Sequence, residues 1–111
     1  MKKVSCILAT IGGVLFSLGA QAGAGWTDAV MVAELVPTSR HYYEVKLPVA
    51  ENPSGCREKN WFYQNYNTTG SEQMFAVLLE GIGSEIRLRV YVTGLCNING
   101  HAEFSSVSVI R

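Results

Sequence analysis

Apolar and polar residues alternate with a period of two in several separate stretches of the chain. In residues 86–93, Ile86, Leu88, Val90 and Val92 alternate with arginine, tyrosine and threonine. A period of two is typical of a strand with one buried face. The pattern therefore predicts an antiparallel strand whose aliphatic face lies in the core.

Four other stretches have strand character: residues 26–36, 41–47, 60–66 and 103–110. The first is predicted to be one continuous strand that ends at Pro37, which has no N–H for a ladder. Val30 and Val32 are expected on one face, and Met31, Ala33 and Leu35 on the other. In 41–47, Tyr43, Val45 and Leu47 share one face, which predicts a half-buried strand. In the last stretch, Val107 and Val109 are predicted to share a face.

Between the third and fourth of these strands the period changes. Phe75, Leu78, Leu79 and Ile82 recur at the i, i+3, i+4, i+7 spacing of an amphipathic helix. We expect a helix over residues 72–81, with these four side chains on its buried face. Residues 69–72, Thr-Gly-Ser-Glu, match a capping box at its start, with the serine as an alternative cap, and the glycines at 81 and 83 are expected to end it.

The element order is strand, strand, strand, helix, strand, strand. A small five-stranded Greek-key barrel of the OB type has this order, with one helix between strands 3 and 4. We therefore predict a mainly β domain of the α+β kind with an OB-like barrel. Two other small α+β folds are compatible with the same order.

The N-terminal segment has the features of a bacterial export signal. Lys2 and Lys3 precede a short apolar run, 7–18, and Ala20-Gln21-Ala22 matches an A-x-A cleavage site. The run is short for a membrane span and is interrupted by polar residues and glycine. We predict a signal peptide over 1–22 and a single OB-like domain over 23–111, periplasmic or secreted, with no membrane insertion after cleavage.

The charge balance of the predicted mature chain limits its partners. Cleavage removes two lysines and leaves seven Lys+Arg against nine Asp+Glu, a net charge of −2. Binding to nucleic acid requires a basic stripe that neutralises phosphates. This composition therefore argues against nucleic acid and against an anionic membrane surface as partners.

Cysteine usage predicts a covalent cross-link. Cys6 lies in the predicted signal, so an exported chain retains only Cys56 and Cys96. We predict that these two residues form a disulfide. A metal site would require more cysteine or histidine nearby, and a reactive thiol rarely persists beside a second cysteine in an oxidising compartment.

The best candidate for ligand binding is the aromatic stretch that follows Cys56. It contains Trp61, Phe62, Tyr63 and Tyr66 within six residues. Adjacent side chains on a strand point to opposite faces, so Trp61 and Phe62 cannot both lie in the core of one sheet. Outward aromatic rings beside asparagine and glutamine suit carbohydrate stacking or a protein interface, unless a helix or loop covers the second face.

Catalytic and metal-binding motifs are not found in the sequence. His41 and His101 are the two histidines, sixty residues apart, and neither belongs to a metal-ligand or catalytic motif. We expect both to lie in loops or at the surface. No catalytic residue, metal site or cofactor is predicted, although a histidine beside a carboxylate in a pocket would indicate an enzyme.

Several motifs carry a resemblance to known proteins: N-P-x-G-C at 52–56, Q-M-F-A-V-L-L at 73–79, R-L-R-V-Y-V-x-G-x-C at 87–96 and S-V-S-V at 106–109. Together they resemble a group of short exported, disulfide-containing proteobacterial proteins of uncharacterised function. The helix and the fourth strand are also distantly similar to the B subunit of subtilase cytotoxin. This second resemblance implies an OB fold, glycan binding and assembly into a pentamer.

These observations predict a non-enzymatic, exported binding module. Its expected partner is a glycan or another protein, bound through the aromatic stretch, and a homo-oligomer is compatible with the toxin-subunit resemblance. The alternative prediction is a periplasmic inhibitor or accessory protein that acts on an enzyme through its loops.

Overall fold

Seven strands and one helix follow one another along residues 23–111, the part of the chain that the computed structural model describes. The predicted signal peptide, 1–22, lies outside these residues. The elements are β1 (Gly25–Trp26), β2 (Val30–Met31), β3 (Glu34–Pro37), β4 (Tyr42–Lys46), β5 (Trp61–Asn65), α1 (Ser71–Ser84), β6 (Arg87–Cys96) and β7 (Ala102–Ile110).

The strands form one mixed sheet in the order β1-β6-β7-β5-β4-β3, and β2 also pairs with β6. Every pairing is antiparallel except the pairing of β5 with β7. The sheet is not closed. The domain is thus β-rich with one helix, as predicted. The strand pairing does not confirm the predicted five-stranded barrel.

The prediction of one continuous first strand over 26–36 is wrong. The segment forms three short strands: β1 and β2 pair with β6, whereas β3 pairs with β4 at the other end of the strand order. Polar side chains account for the first interruption. Thr27 Oγ1 accepts the Val90 N–H (3.2 Å), and the Asp28 carboxylate accepts the N–H groups of Ala50 and Glu51.

The core lies on one face of β4, β5, β6 and β7 and is completed by Leu78 of α1. Its fully or almost fully buried strand residues are Tyr43, Val45, Phe62, Leu88, Val90, Val92, Ala102 and Phe104, together with Leu47 just after β4. The alternation predicted for 41–47 and 86–93 is therefore confirmed.

Val107 and Val109 share a face, as predicted, because they pair in register with Val90 and Leu88, whose side chains both lie in the core. A register shift between β6 and β7 leaves Ser105 without a partner, so Phe104 and Val107 both pack against the core. Such a bulge changes the face on which later side chains lie. Val109 is 52% exposed at the end of the strand.

The helix is longer than predicted, and both of its ends differ from the prediction. Gly70, in the left-handed conformation, precedes it without a side-chain cap, and Ser71 Oγ instead donates a 2.6 Å hydrogen bond to the Tyr66 carbonyl. The capping box is therefore wrong. The helix also continues through the glycines at its C-terminal end and stops at Glu85, whose φ is +55°.

The buried face of α1 is rotated from the predicted one. Leu78 and Gly81 are buried, but Leu79 and Ile82 are 55% and 41% exposed. A Cβ at Gly81 would lie 3.0 Å from Leu88 Cδ2, so the glycine lets the helix approach β6 closely on this side. This close approach accounts for the difference from the hydrophobic pattern.

The predicted disulfide between Cys56 and Cys96 is present, with Cα atoms 5.7 Å apart. Residues 94–96, predicted to be loop, instead extend β6, so the bond joins the turn before β5 to the end of β6. Ser54 Oγ accepts the Cys56 N–H and donates to Asn52 Oδ1, which orders the turn. Within residues 23–111, no helix combines the length and apolar character needed to cross a membrane.

Candidate functional site

Strand β5 divides the candidate aromatic residues between the two faces of the sheet, as its alternation predicts. Phe62 and Gln64 are fully buried in the core. Trp61 and Tyr63 lie on the opposite, outer face, where Trp61 is partly exposed and Tyr63 is 9% exposed. The Phe62 ring therefore does not reach the surface, and the outer face carries the candidate binding groups.

Trp61 lies between Lys46 of β4 and His101, the residue that precedes β7. On one side, Lys46 is its register partner in β4 and places Nζ 6.0 Å from the ring centroid. On the other side, the His101 ring stacks on the indole with centroids 5.5 Å apart and planes inclined by 17°. The indole is thus packed between a residue of β4 and the residue that precedes β7.

His101 also contacts an acidic residue across the sheet. Its Nδ1 lies 3.0 Å from Glu44 Oε2, and the two side chains are only 13% and 17% exposed. The atoms are close enough for an ion pair, but the ring nitrogen is not aligned for a hydrogen bond and has no other partner among the described residues. Asn60 Oδ1, next to Trp61, is likewise buried without a hydrogen-bond partner.

Tyr63 extends this outer surface along β5, between its register partners Glu44 of β4 and Glu103 of β7. Its ring meets that of Tyr42 edge to face, with centroids 6.0 Å apart. Burial raises the pKa of the Tyr63 phenol, and the nearby Glu103 carboxylate raises it further. Glu103 itself accepts a 2.8 Å hydrogen bond from Thr93 Oγ1, so its position is fixed.

Tyr66 lies apart from the other candidates. Its ring packs against Tyr43, with centroids 5.7 Å apart, and its hydroxyl bridges the backbone of Thr38. The hydroxyl accepts from the Thr38 N–H and donates to the Thr38 carbonyl, both at 2.8 Å. Although 40% exposed, Tyr66 therefore has a structural role in holding the turn before β4.

The outer-face cluster is defined here as Tyr42, Glu44, Lys46, Trp61, Tyr63, His101 and Glu103. Two of its members, Trp61 and Tyr63, were predicted from the sequence as ligand-binding residues. The parallel pairing of β5 with β7 brings His101 beside Trp61, although the two are forty residues apart in the sequence. His101 lies in the loop between β6 and β7, as expected, but its side chain is largely enclosed.

A second aromatic and basic contact lies on β1 and β6. The Arg89 guanidinium carbon is 4.6 Å from the centroid of the Trp26 ring, and Tyr91 meets that ring edge to face. Arg89 Nε is buried and has no acceptor among the described residues.

Residues 23–111 contain no group of three or more histidine, cysteine, aspartate or glutamate side chains arranged to hold a metal ion. No protein-family model, curated protein or solved structure matches this chain. The resemblances drawn from its motifs therefore remain predictions.

Proposed function

We propose that the protein is a non-enzymatic module that binds a glycan through the outer-face cluster. The observation that supports this function best is the arrangement around Trp61. Its indole is held between Lys46 and His101, and the Glu44 carboxylate lies beside the histidine. Flat apolar groups next to fixed donors and acceptors complement both the C–H faces and the hydroxyl groups of a sugar.

A buried polar atom next to Trp61 supports a polar ligand. Asn60 Oδ1 has no hydrogen-bond partner among the described residues. Since an unpaired buried polar atom costs about 1–3 kcal/mol, such an atom usually has a water or ligand partner. A sugar hydroxyl can donate to Asn60 Oδ1 after a small movement of the side chain.

An OB-like barrel is our proposal for the fold, supported by the first segment of the chain. Strands β1 and β2 lie against β6, and β3 lies against β4, so one segment borders both ends of the strand order. OB-type domains bind oligosaccharides and oligonucleotides on a sheet face. The net negative charge of residues 23–111 favours the sugar over the nucleic acid.

The contact between His101 and Glu44 is the feature most like an active site. Acid–base catalysis uses such pairs, but it also requires access of the substrate to the titrating atoms. Here Trp61 covers one face of the imidazole and both partners are largely enclosed. We therefore assign His101 and Glu44 to positioning the indole.

Export is part of the same proposal. The features of residues 1–22 indicate a signal peptide, and the disulfide between Cys56 and Cys96 is compatible with an oxidising compartment. Removal of the signal leaves the outer-face cluster complete, because all its members follow residue 23.

A glycan array tests the proposal. Wild type is expected to bind a restricted set of glycans, and Trp61→Ala is expected to lose at least about tenfold in affinity, as for other central aromatic anchors. Trp26→Ala is the matched control because Trp26 is a partly exposed tryptophan outside the cluster. Absence of glycan binding by folded wild type would reject the glycan as ligand.

Trp61 is packed against its neighbours, so its replacement also affects stability. Lys46→Ala is therefore a second variant, which removes one side of the cluster with less effect on the fold. Thermal unfolding of each variant separates loss of binding from loss of fold. If Trp61→Ala and Lys46→Ala both bind as wild type does, the site lies elsewhere.

An inhibitory or accessory role toward an enzyme is the second candidate. It is favoured by the exposed Leu79 and Ile82 on α1, which are typical of protein interfaces. Stoichiometric loss of activity of a purified periplasmic enzyme on adding the protein would support this role. Unchanged activity of the enzymes that are recovered together with the protein would argue against this role.

A further inference from the structure

Arg89 is a partly buried cation on the outer face of β6 that has no acidic partner in the described part of the chain. Its neighbours Leu88 and Val90 are buried in the core, so alternation places Arg89 on the opposite face of the sheet. No ion pair among residues 23–111 includes its guanidinium, and its buried Nε has no acceptor. A cation that is partly removed from water and has no acceptor is costly, which points to a partner of opposite charge.

The indole of Trp26 fixes the position of this guanidinium. The guanidinium carbon of Arg89 lies 4.6 Å from the centroid of the indole, and Tyr91 meets the indole edge to face at 5.4 Å. The ring attracts the positive charge but leaves the N–H groups without a hydrogen-bond acceptor. Trp26 is 39% exposed, so this contact lies at the surface, where a ligand can reach it.

Strand β7 adds hydroxyl groups on the same face. Ser108 pairs in register with Arg89, and Ser106 pairs with Tyr91. Directly opposite residues of an antiparallel pair lie on the same face with their Cβ atoms about 5 Å apart. Both serines are partly exposed. The face therefore presents hydroxyl donors next to an arginine, a combination that suits an oxyanion.

The charged residues around Arg89 do not supply that oxyanion. Arg87 lies two residues earlier on the same face of β6, so it adds a second positive charge. Asp28 is the acidic residue of the segment that joins β1 to β2 beside β6. Its carboxylate instead accepts the backbone N–H groups of residues 50 and 51. On the same face, Glu103 accepts a hydrogen bond from Thr93, beyond the bulge in the pairing of β6 with β7.

We propose that Arg89, Ser108 and Trp26 form a binding site for an oxyanion group of a ligand, either a carboxylate or a phosphate. The guanidinium supplies the charge and paired donors, the serine hydroxyl supplies a further donor, and the indole contacts the apolar atoms next to the oxyanion. This oxyanion site shares no residue with the outer-face cluster, so it does not depend on the glycan proposal. Uncharged glycans do not use it, and Trp26→Ala therefore remains a control for them.

An NMR titration of the protein lacking residues 1–22 tests the oxyanion site. Succinate and inorganic phosphate are added separately, and the backbone amide signals of residues 87–91 and 106–110 are followed. At least one of these oxyanions is expected to shift the signals saturably at millimolar concentration, and the tighter of the two identifies the group that the site takes. Sodium chloride at the same ionic strength is the control and is expected to produce no saturable shift.

Variants of the arginine assign the shifts to the site. Arg89→Gln is expected to raise the dissociation constant at least about tenfold, because it removes the charge and the paired donors. Arg89→Lys keeps the charge and is expected to weaken binding severalfold, since it lacks the planar fork. Arg40→Gln is the matched control, because Arg40 is an exposed arginine in the turn before β4.

Circular dichroism establishes that each variant is folded, and Arg89→Lys still tests the site if Arg89→Gln is not. Absence of a saturable shift in folded wild type with either oxyanion would overturn the proposal. Dissociation constants that are equal for wild type and the folded Arg89 variants would overturn it too, as would a saturable response to sodium chloride.

Discussion

The Tyr43 hydroxyl donates a 2.8 Å hydrogen bond to Gln64 Oε1 in the interior of the domain, where both side chains are fully buried. Gln64 Nε2 in turn donates to the Phe104 carbonyl at 2.9 Å and contacts Met74 Sδ at 3.3 Å. One amide thereby connects β4, β5, β7 and the helix. Such a network stabilises a core only while every member has its partner.

Gln64→Leu should destabilise the domain by about 2–4 kcal/mol, because it leaves the Tyr43 hydroxyl and the Phe104 carbonyl without partners. Tyr43→Phe should then cost less in the Gln64→Leu background than in wild type, since the unpaired hydroxyl is removed. Urea unfolding of the four proteins measures this coupling. Additive effects would mean that the hydrogen bond contributes little.

Alkaline pH should weaken the fold through two tyrosines. Burial raises the pKa of Tyr43 strongly, with a further contribution from Tyr66, and burial followed by Glu103 raises the pKa of Tyr63. The stabilisation is complete below the unfolded value of 10.0 and is lost as pH rises toward the folded values. The melting temperature of wild type should therefore fall above pH 10.0.

Tyr43→Phe should show a shallower decrease of melting temperature across the same alkaline range, although it is less stable at neutral pH. Tyr91→Phe is the control, because Tyr91 is partly exposed on the outer face. Parallel curves for wild type and Tyr43→Phe would contradict a role of Tyr43 ionisation.

Replacing both Cys56 and Cys96 by serine should lower the free energy of unfolding by about 2–4 kcal/mol, because the bond closes a loop across a separation of 40 residues. Guanidinium unfolding of the oxidised wild type and the double variant measures the loss. Reduced wild type should match the variant. Two free thiols in the unreduced, denatured protein lacking residues 1–22 would show that the bond does not form.

Two glycine substitutions should have opposite effects. Gly100→Ala should destabilise by about 1–3 kcal/mol, because Gly100 has φ +82° and an added Cβ would lie 2.9 Å from Arg57 Cβ. Gly83→Ala should stabilise by up to about 1 kcal/mol, because Gly83 is helical and an added Cβ meets nothing within 4 Å.

Thermal unfolding of wild type and of both glycine variants measures these effects. A loss of stability in Gly83→Ala would indicate that the last turn of α1 is less regular than its hydrogen bonding suggests. Gly81→Ala is a useful comparison, since its Cβ would lie only 3.0 Å from Leu88.

The strands that bury one whole face were predictable, because alternation alone determines which of their side chains point toward the core. This holds for 41–47 and 86–93, whose inward residues are those of the core. The first segment was not predictable in the same way. Its apolar run, 29–33, continues without a break, but Thr27 and Asp28 form hydrogen bonds to Val90, Ala50 and Glu51 that interrupt pairing.

In the candidate site, too, features set by local alternation were predictable, whereas contacts between distant residues were not. Alternation correctly predicted that Trp61 and Phe62 lie on opposite faces of β5. It could not predict that His101 stacks on Trp61, because this contact depends on which strands are neighbours. The rotation of the helix likewise depends on a tertiary contact, that of Gly81 with Leu88.

The division of the first segment between two strand partners constrains the order of folding. Gly25 and Trp26 pair with Val92 and Tyr91, so the β1 pairing cannot form until the chain has been made to the middle of β6. Contacts between such distant residues slow folding, because the loop must close before they are gained. The ladder of β3, β4 and β5, whose strands follow one another along the chain, is therefore expected to form before β1 pairs with β6.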